Sequence, residues 1–526
     1  MTEYRLVYDS GSKLLKCAIA DEMSNLIAIE SMEKEVLQSK DGFQREICPN
    51  YWDKIVELTK ITIKNAKINP LKIKYITASS IRPSAVFTDD NNNALYIGAQ
   101  FDLRGIDYAE EVGEEFEERT GNTFYESTGH SPSLLFLPAR YRYFKEESEK
   151  KDIFHRITQY LPEESWILVK LGGEPHANIS SAAESGLFDL RSKMWHPAWE
   201  DILDLPDYFL PWPVLSGEVI GNVSEEMHQL LGLSTDAKIV AGLPDTQSAL
   251  LGCQYVENGA IGAVLGSTTP VQIITDQLYI EPNEQTWSGV FACKNLYNGY
   301  YLEANTGITG QILKWAANLF YGGEEKTLKD RFDRLDSAFM DYDRFELGAS
   351  EEEINENLVF SFLGPAPLAS SQTTITPGIF HFQSPGGVED VCLNINAIVA
   401  AVFDNIQFAI TRNIELISKF AKINNPTYAI VGGVTRNSVL VQRFADLLQN
   451  PVTTSKSFET SIQGLLVLCD VAAKKISSIE DLKLRNHSFP SLRTVKPREL
   501  MKQKILTRYK TWQNLFEQYR GRQLQN

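Results

Sequence analysis

Apolar residues along the chain recur in two rhythms, short β-prone runs and stretches spaced three and four apart, and the two alternate from the start. Tyr4 to Tyr8 reads as a strand, Asp9-Ser10-Gly11-Ser12 as a turn, and Leu14 to Ala20 as a second strand closing a hairpin. Asn50 to Ala66 has helical spacing, with Trp52, Ile55, Val56, Leu58 and Thr59 around one face, and Ile73 to Ala78 follows as a buried strand. Asp236 to Gly242 gives another strand, Thr246 to Gly252 a short helix, and Ala260 to Leu265 a strand running into Gly266-Ser267-Thr268-Thr269. Thr427 to Val431 leads in the same way into Gly432-Gly433, with helices from about Ser438 to Leu448 and from Ser461 to Lys474. Three strand-to-glycine units and this alternation predict an α/β fold.

Elsewhere the pattern is weaker. Glu110 to Glu118 and Glu146 to Asp152 read as solvated helix faces. Gly322 to Pro377 reads as surface connections and loops, charged at first and then rich in Pro, Ser and Thr. No short-period repeat is visible, which disfavours solenoids and propellers.

The chain has 526 residues. At roughly 150 residues per domain this excludes a single small binding module and leaves two large domains or three ordinary ones. A hydrophobic fraction of 43% and a charged fraction of 23% match a globular chain that buries sizeable cores. The net charge of −17 argues against nucleic-acid and membrane partners. Leu482 to Asn526 departs from that balance, with eleven Lys or Arg against Glu499 and Glu517. Within it, Leu500 to Tyr519 has helical spacing that offers Ile505, Tyr509, Trp512, Leu515, Phe516 and Tyr519 for packing, as in a terminal helix docked on an acidic body. Cys17, Cys48, Cys253, Cys293, Cys392 and Cys469 are scattered singly, and no leader or apolar span is visible, so a soluble, cytoplasmic protein is expected.

For chemistry, the P-loop, the Rossmann fingerprint and the protein-kinase glycine loop are all missing. Asp245, in Ala241-Gly242-Leu243-Pro244-Asp245-Thr246, stands at a strand end before a helix. A carboxylate there caps the helix, and within reach of a hydroxyl it also serves as a general base. The glycine units share their order and spacing with a known group. Tyr8 to Lys16 resembles D-x-G-T-[ST]-S-x-[KR], Ala241 to Gly252 resembles G-G-x-D-x-x-[AS]-A-x-x-G, and Leu265 to Thr269 resembles L-G-T-[ST]. Glu303 to Trp315 resembles a glycine pair before a helix ending in Trp, and Ile430 to Ser438 resembles G-G-x-x-x-[NS], with Ala445-Asp446 and Glu459 to Gly464 following at matching spacing. Together these resemble the FGGY family of carbohydrate kinases, within the actin-like ATPase superfamily.

That resemblance covers Tyr4 to about Lys474 and implies two ribonuclease H-like (actin-like ATPase) domains flanking a central cleft. It places a sugar-binding domain at 1–252, a nucleotide-binding domain at 253–480 and a basic helical tail at 481–526. It implies ATP and Mg²⁺ as cofactors, a small sugar as partner, most plausibly a ketose, and leaves a homodimer open. Asp245 becomes the catalytic base and, with Asp9, a metal carboxylate. Gly11, Ser12, Lys13, Lys16, Gly266, Ser267, Thr268, Gly310, Gly433 and Asn437 become ATP contacts. Arg82, Asp102, Arg104 and Asp245 become substrate contacts, Asp102-Leu103-Arg104 being the D-x-R of a segment whose usual Trp is Gln100 here, followed by Phe101. Asn178 to Asp189 resembles D-x-S-N-A-x-x-T-x-L-F-D. Pro83 stands where glycerol kinases carry a polyol-binding Glu, so glycerol is not the expected substrate. Ser80-Ile81-Arg82, an S-x-R segment, followed by the D-x-R of Asp102-Leu103-Arg104, also resembles kinases of linear polyols such as the autoinducer-2 precursor. Lys13 and Leu14 replace hydroxyl residues of the phosphate hairpin, which keeps a non-catalytic sugar or nucleotide sensor as an alternative. An actin-like or chaperone ATPase fits least.

Overall fold

The structure, a computed structural model, describes residues 2–99, 102–133, 135–147, 150–323, 325, 327–356, 358–369, 378–382, 394–457, 459–484 and 492–523. It divides into two compact units, one of 1–258, 274–301 and 459–491, the other of 259–273, 302–458 and 492–526. Gln100, Phe101 and Cys392 lie outside the described residues.

The first unit is built on a sheet of β1 (Tyr4–Ser10), β2 (Leu14–Asp21), β3 (Leu26–Glu33), β4 (Ile73–Ser80), β5 (Val219–Asn222), β6 (Lys238–Val240) and β7 (Leu243–Pro244). Its order is β5-β6-β4-β1-β2-β3, with β7 pairing the end of β4. β1 and β2 form the antiparallel hairpin expected from Asp9-Ser10-Gly11-Ser12, whereas β1, β4 and β6 run parallel. The sheet needs cover on its faces. Tyr51–Ala66 supplies some of it by burying Ile55, Val56 and Leu58 in one core with Leu6, Ile76 and Ile239.

After β7 comes helix α1 (Asp245–Gly252), which packs on a later helix, Thr460–Ala472. Glycines permit that contact, because a Cβ on Gly252 would stand 2.1 Å from the Thr460 carbonyl oxygen and one on Gly464 would stand 1.9 Å from that of Ser248.

A second sheet repeats the plan with β8 (Ala260–Val264), β9 (Thr268–Thr275), β10 (Tyr297–Ile308), β11 (Thr427–Val431), β12 (Val452–Ser455) and β13 (Leu492–Val495), in the order β10-β9-β8-β11-β12-β13; residues 274–275 of β9 and 297–301 of β10 belong to the first unit and the rest to the second. Again the first two strands pair antiparallel, and β8, β11 and β12 run parallel. A hairpin, a third strand and then two parallel strands is the ribonuclease H-like order. It occurs twice, as expected for two actin-like ATPase domains.

Two expectations fail here. Gly322 to Pro377 is not a run of connections: it contains α2 (Leu328–Gly348), a helix at Glu351–Glu356 and a strand at Val359–Phe362, while residues 370–377 lie outside the described residues. The buried face of α2 joins Leu335, Phe339 and Tyr342 to Asp343 and Glu346, whose charges meet Arg443 at 3.1 and 2.6 Å. Polar residues on the inward face hide the period. Glu146 to Asp152 is likewise not one helix face, since a helix ends at Glu146 and a short one starts at Lys151.

The terminal helix α3 (Lys502–Gln523) buries Ile505, Tyr509 and Trp512 against Phe360, Phe408 and Leu447. Arg508 of this helix binds Asp404 at 2.5 Å and the Val359 carbonyl at 2.9 Å, so its basic charge is partly spent inside the second unit.

Candidate active site

Register places the first group of residues. Asp9 on β1 lies opposite Lys16 on β2 and beside Ser79 on β4, and Ser80 pairs with Pro244, so Asp245 leaves the sheet next to Arg82 and within two strands of Asp9. Carboxyl ends of parallel strands are where open α/β sheets bind ligands. Gly242 is required here, since a Cβ would sit 1.9 Å from the Ala78 carbonyl oxygen.

Asp245 is the first residue of α1, and its Oδ1 accepts from the Thr246 amide at 2.6 Å and from the Thr246 hydroxyl at 3.2 Å. The expected cap is not formed: Pro244 holds the N-cap position without a side-chain cap bond, and Asp245 is the first helical residue, its carboxylate turned onto the adjacent Thr246. Burial and then the negative charge of Asp9 raise the Asp245 carboxyl to about 6, against the opposing pull of Arg82. Asp9 is raised as well, chiefly by burial, although Lys16 and the Ser79 hydroxyl, 2.8 Å from Oδ1, favour its charge. Lys16 stands 4.0 Å from Asp9 and donates to Glu459. Gly11, Ser12 and Lys13 form the hairpin turn, closed by the Gly11 amide on the Leu14 carbonyl at 2.9 Å, with Lys13 exposed.

Arg82 meets Glu184 at 2.9 Å and the Tyr301 hydroxyl at 3.2 Å, and Tyr301 also donates to Glu184. The Nε2 of His130 is 3.6 Å from the other Glu184 oxygen. Burial alone would raise Glu184, yet Arg82, His130 and Tyr301 outweigh it and hold the carboxyl at about 2.

A second buried set lies beneath the hairpin. Glu163 binds Lys34 at 2.8 and 3.0 Å and accepts from Ser10 at 2.6 Å, while the Lys34 amide donates to the Lys13 carbonyl at 2.8 Å. Glu164, raised by burial, accepts from Asn178 at 2.7 Å and from Ser80. Gln247, two residues beyond Asp245, is fully buried with neither side-chain amide atom hydrogen-bonded among the described residues.

Asp102 and Arg104 sit otherwise. They pair at 2.9 Å while 0% and 1% exposed, so they are no surface pair. Their remaining bonds go to Tyr96 at 2.5 Å, Glu46 at 2.9 Å and the backbone of Arg45. Both are engaged with one another and with this frame, not with Arg82 or Asp245.

In the second unit, Val264 and Val431 are register partners, so the turn at Gly266-Ser267-Thr268 and the Gly432-Gly433 turn leave adjacent parallel strands. Gly310, first residue of the helix Gly310–Tyr321, donates to the Gly266 carbonyl at 3.1 Å, and a Cβ on it would stand 2.5 Å from that oxygen. The helix does not end at Trp315, which lies in its middle. Gly432 rather than Gly433 carries the steric demand, with φ +104° and a Cβ site 2.4 Å from the Leu265 carbonyl oxygen; at Gly433 no atom lies within 4 Å of such a Cβ. Asn437 caps Ser438–Leu448 through the amides of Val439 and Leu440 and donates to Asp336 at 2.8 Å.

The structure therefore gathers Asp9, Lys16, Arg82 and Asp245 in the first unit, and Gly266, Ser267, Thr268, Gly310, Gly433 and Asn437 in the second. Sequence reading missed Lys34, Glu163, Glu184, His130, Tyr301 and Gln247. Only Glu184 and Gln247 lay in segments already singled out. Among the described residues no three side chains cluster as a metal site, and no helix is long and apolar enough to cross a membrane.

Comparison with known proteins agrees with this geometry. Residues 4–252 match the FGGY family of carbohydrate kinases, N-terminal domain. Over 514 residues the chain is 24% identical to the candidate sugar kinase YoaC of Bacillus subtilis (strain 168), covering 96% of this chain and 95% of that one. It is 24% identical to the autoinducer-2 kinase of Escherichia coli O9:H4 (strain HS) over 492 residues, 91% of this chain and 88% of the other. The xylulose kinase of Rhodospirillum rubrum superposes with a TM-score of 0.79 at 17% identity, covering 99% of both chains.

Proposed function

Because the chain belongs to the FGGY family of carbohydrate kinases, phosphotransferases with an alcohol group as acceptor, we propose that it transfers the γ-phosphoryl group of ATP to a hydroxyl of a small sugar, most simply a ketose. The observation that carries this reading is Asp245, a helix-anchored carboxylate at a strand end, raised to about 6 and still mostly ionised near neutral pH.

In the proposed step the acceptor O–H gives its proton to Asp245 as its oxygen bonds to Pγ. The bond from Pγ to the β–γ bridging oxygen breaks, and ADP leaves with that oxygen. Arg82 and its partners orient the acceptor. Asp102 and Arg104 shape that side from within the core. Gln247 is a further candidate contact, because its buried amide gains the bonds it lacks when a polar ligand arrives. Gly11, Ser12, Lys13 and Lys16 receive the transferred phosphoryl. The Gly266 turn with Gly310 and the Gly433 turn with Asn437 receive the rest of the nucleotide. This assigns the acceptor to the unit of 1–258, 274–301 and 459–491, rather than to 1–252 alone, and most of the nucleotide to the unit of 259–273, 302–458 and 492–526, rather than to 253–480.

The donor set suits Mg²⁺. The negative charge of Asp9 raises the Asp245 carboxyl, a repulsion that a divalent cation relieves, and Mg²⁺ commonly takes one or two carboxylates plus phosphate oxygens. Bound there, it would neutralise phosphate charge. The five described cysteines are unpaired, which fits the cytoplasm, where ATP is abundant.

Similarity to an autoinducer-2 kinase over most of the chain favours a linear polyol as the second reading of the substrate. A panel of ketoses and linear polyols tests both by acceptor-dependent ADP release. Release with one compound supports the reading, and tight ATP binding without any phosphorylated product selects the sensor alternative.

A further inference from the structure

Three cations stand around Asp9 and Asp245 in the first unit, and each is held by a glutamate: Lys16 by Glu459, Lys34 by Glu163 and Arg82 by Glu184. The charges left over are the two aspartates. Arg82 is the cation nearest the expected acceptor, since it follows Ser80, the strand partner of Pro244, and its charge steadies Asp245. Its guanidinium is not presented as a bare cation: Glu184 lies at 2.9 Å, fully buried, and Tyr301 bonds to both of them.

We propose that Glu184 is a specificity-determining residue: by cancelling the charge of Arg82 it makes the acceptor a neutral polyhydroxy compound and excludes sugar acids. The proposal rests on the kinase reading for its acceptor and goes beyond it by naming the charge class and the residue that sets it. A buried guanidinium freed of its carboxylate is a bidentate receptor for a carboxylate, the group that distinguishes an aldonate from a ketose of the same length. With Glu184 in place that receptor is filled, and the carboxylate of an anionic acceptor finds the guanidinium already engaged. His130 stands on the other side of Glu184, its Nδ1 donating to the Thr128 carbonyl at 2.7 Å and its Nε2 lying 3.6 Å from the carboxylate.

The test compares ketoses and polyols with aldonates of equal chain length on the full chain, reading binding by calorimetry and turnover by ADP release. The native enzyme is expected to favour neutral acceptors at least about tenfold. Glu184→Gln is expected to shift that ratio at least about tenfold toward aldonates. The double variant Arg82→Gln with Glu184→Gln leaves neither charge of the pair buried; it is expected to lose turnover with the loss of Arg82 but to show no gain in aldonate binding by calorimetry, and Glu184→Ala serves as the second single variant should Glu184→Gln fail to fold. Equal or better use of aldonates by the native chain, an unchanged ratio in a folded Glu184→Gln, or aldonate gain in the double variant overturns the proposal. Selective binding without any phosphorylation counts against the kinase reading and leaves this assignment supported.

Discussion

Replacing Asp245 by Asn tests the base and its electrostatic cost together. The amide keeps an oxygen for the Thr246 N–H that Asp245 binds at 2.6 Å, so the start of α1 survives while the proton acceptor is lost. General-base removal costs roughly 10²- to 10⁴-fold, about 3–5 kcal/mol of transition-state stabilisation. Stability should move the other way. The carboxyl is raised from 3.8 to about 6, so the native state binds the proton more tightly than the unfolded chain does. Stability on this account is fully present below the unfolded value and is lost as pH rises through about 6. A shift of this size corresponds to at most about 3 kcal/mol, and partial exposure trims it to roughly 1–3 kcal/mol. Asp245→Asn should therefore be more stable than the native chain near pH 7 and no more stable near pH 4. The native kcat/KM should fall about tenfold per unit below pH 6, as the base protonates. The assays are denaturant unfolding at both pH values and acceptor-dependent ADP release. Turnover within tenfold of native, or a variant destabilised equally at both pH values, refutes the reasoning.

Gly310→Ala would put a Cβ 2.5 Å from the Gly266 carbonyl oxygen and push the turn away, so KM for ATP should rise at least about tenfold while acceptor binding by calorimetry stays within a factor of about two. Arg104→Met leaves Asp102 buried without its cation and should cost about 3–5 kcal/mol in denaturant unfolding. Trp512→Ala should cost about 3–5 kcal/mol, because Trp512 is 1% exposed among Phe408, Tyr509 and Phe516.

What could be read beforehand follows from how local each signal is. The strand Thr427–Val431 and the helix Ser438–Leu448 match their sequence boundaries, and Asp245 was legible because a strand, two turn-formers and a helix start meet within a few residues. Arg82 was visible too. Its partners were not: Glu184 lies 102 residues away and Tyr301 lies 219 away, and pairing across such distances leaves no period in the chain. Glu163 and Glu164 were hidden for a different reason, since two acids after a proline look like an ordinary solvated first turn of a helix, yet both are buried by Lys34, Ser10, Asn178 and Ser80. At the Gly432-Gly433 turn the sequence supplied the pair, but only the backbone shows that Gly432 is the residue without an alternative.

Phosphoryl transfer to a small polyhydroxy acceptor, with Asp245 as base, is open to one decisive measurement. Incubating the native chain and Asp245→Asn with Mg-ATP and a mixed metabolite pool, followed by mass spectrometry, tests it most directly. One neutral polyhydroxy compound should gain a phosphoryl group with the native chain and not with the variant. No phosphorylated product, or the same product formed equally by both, would contradict it.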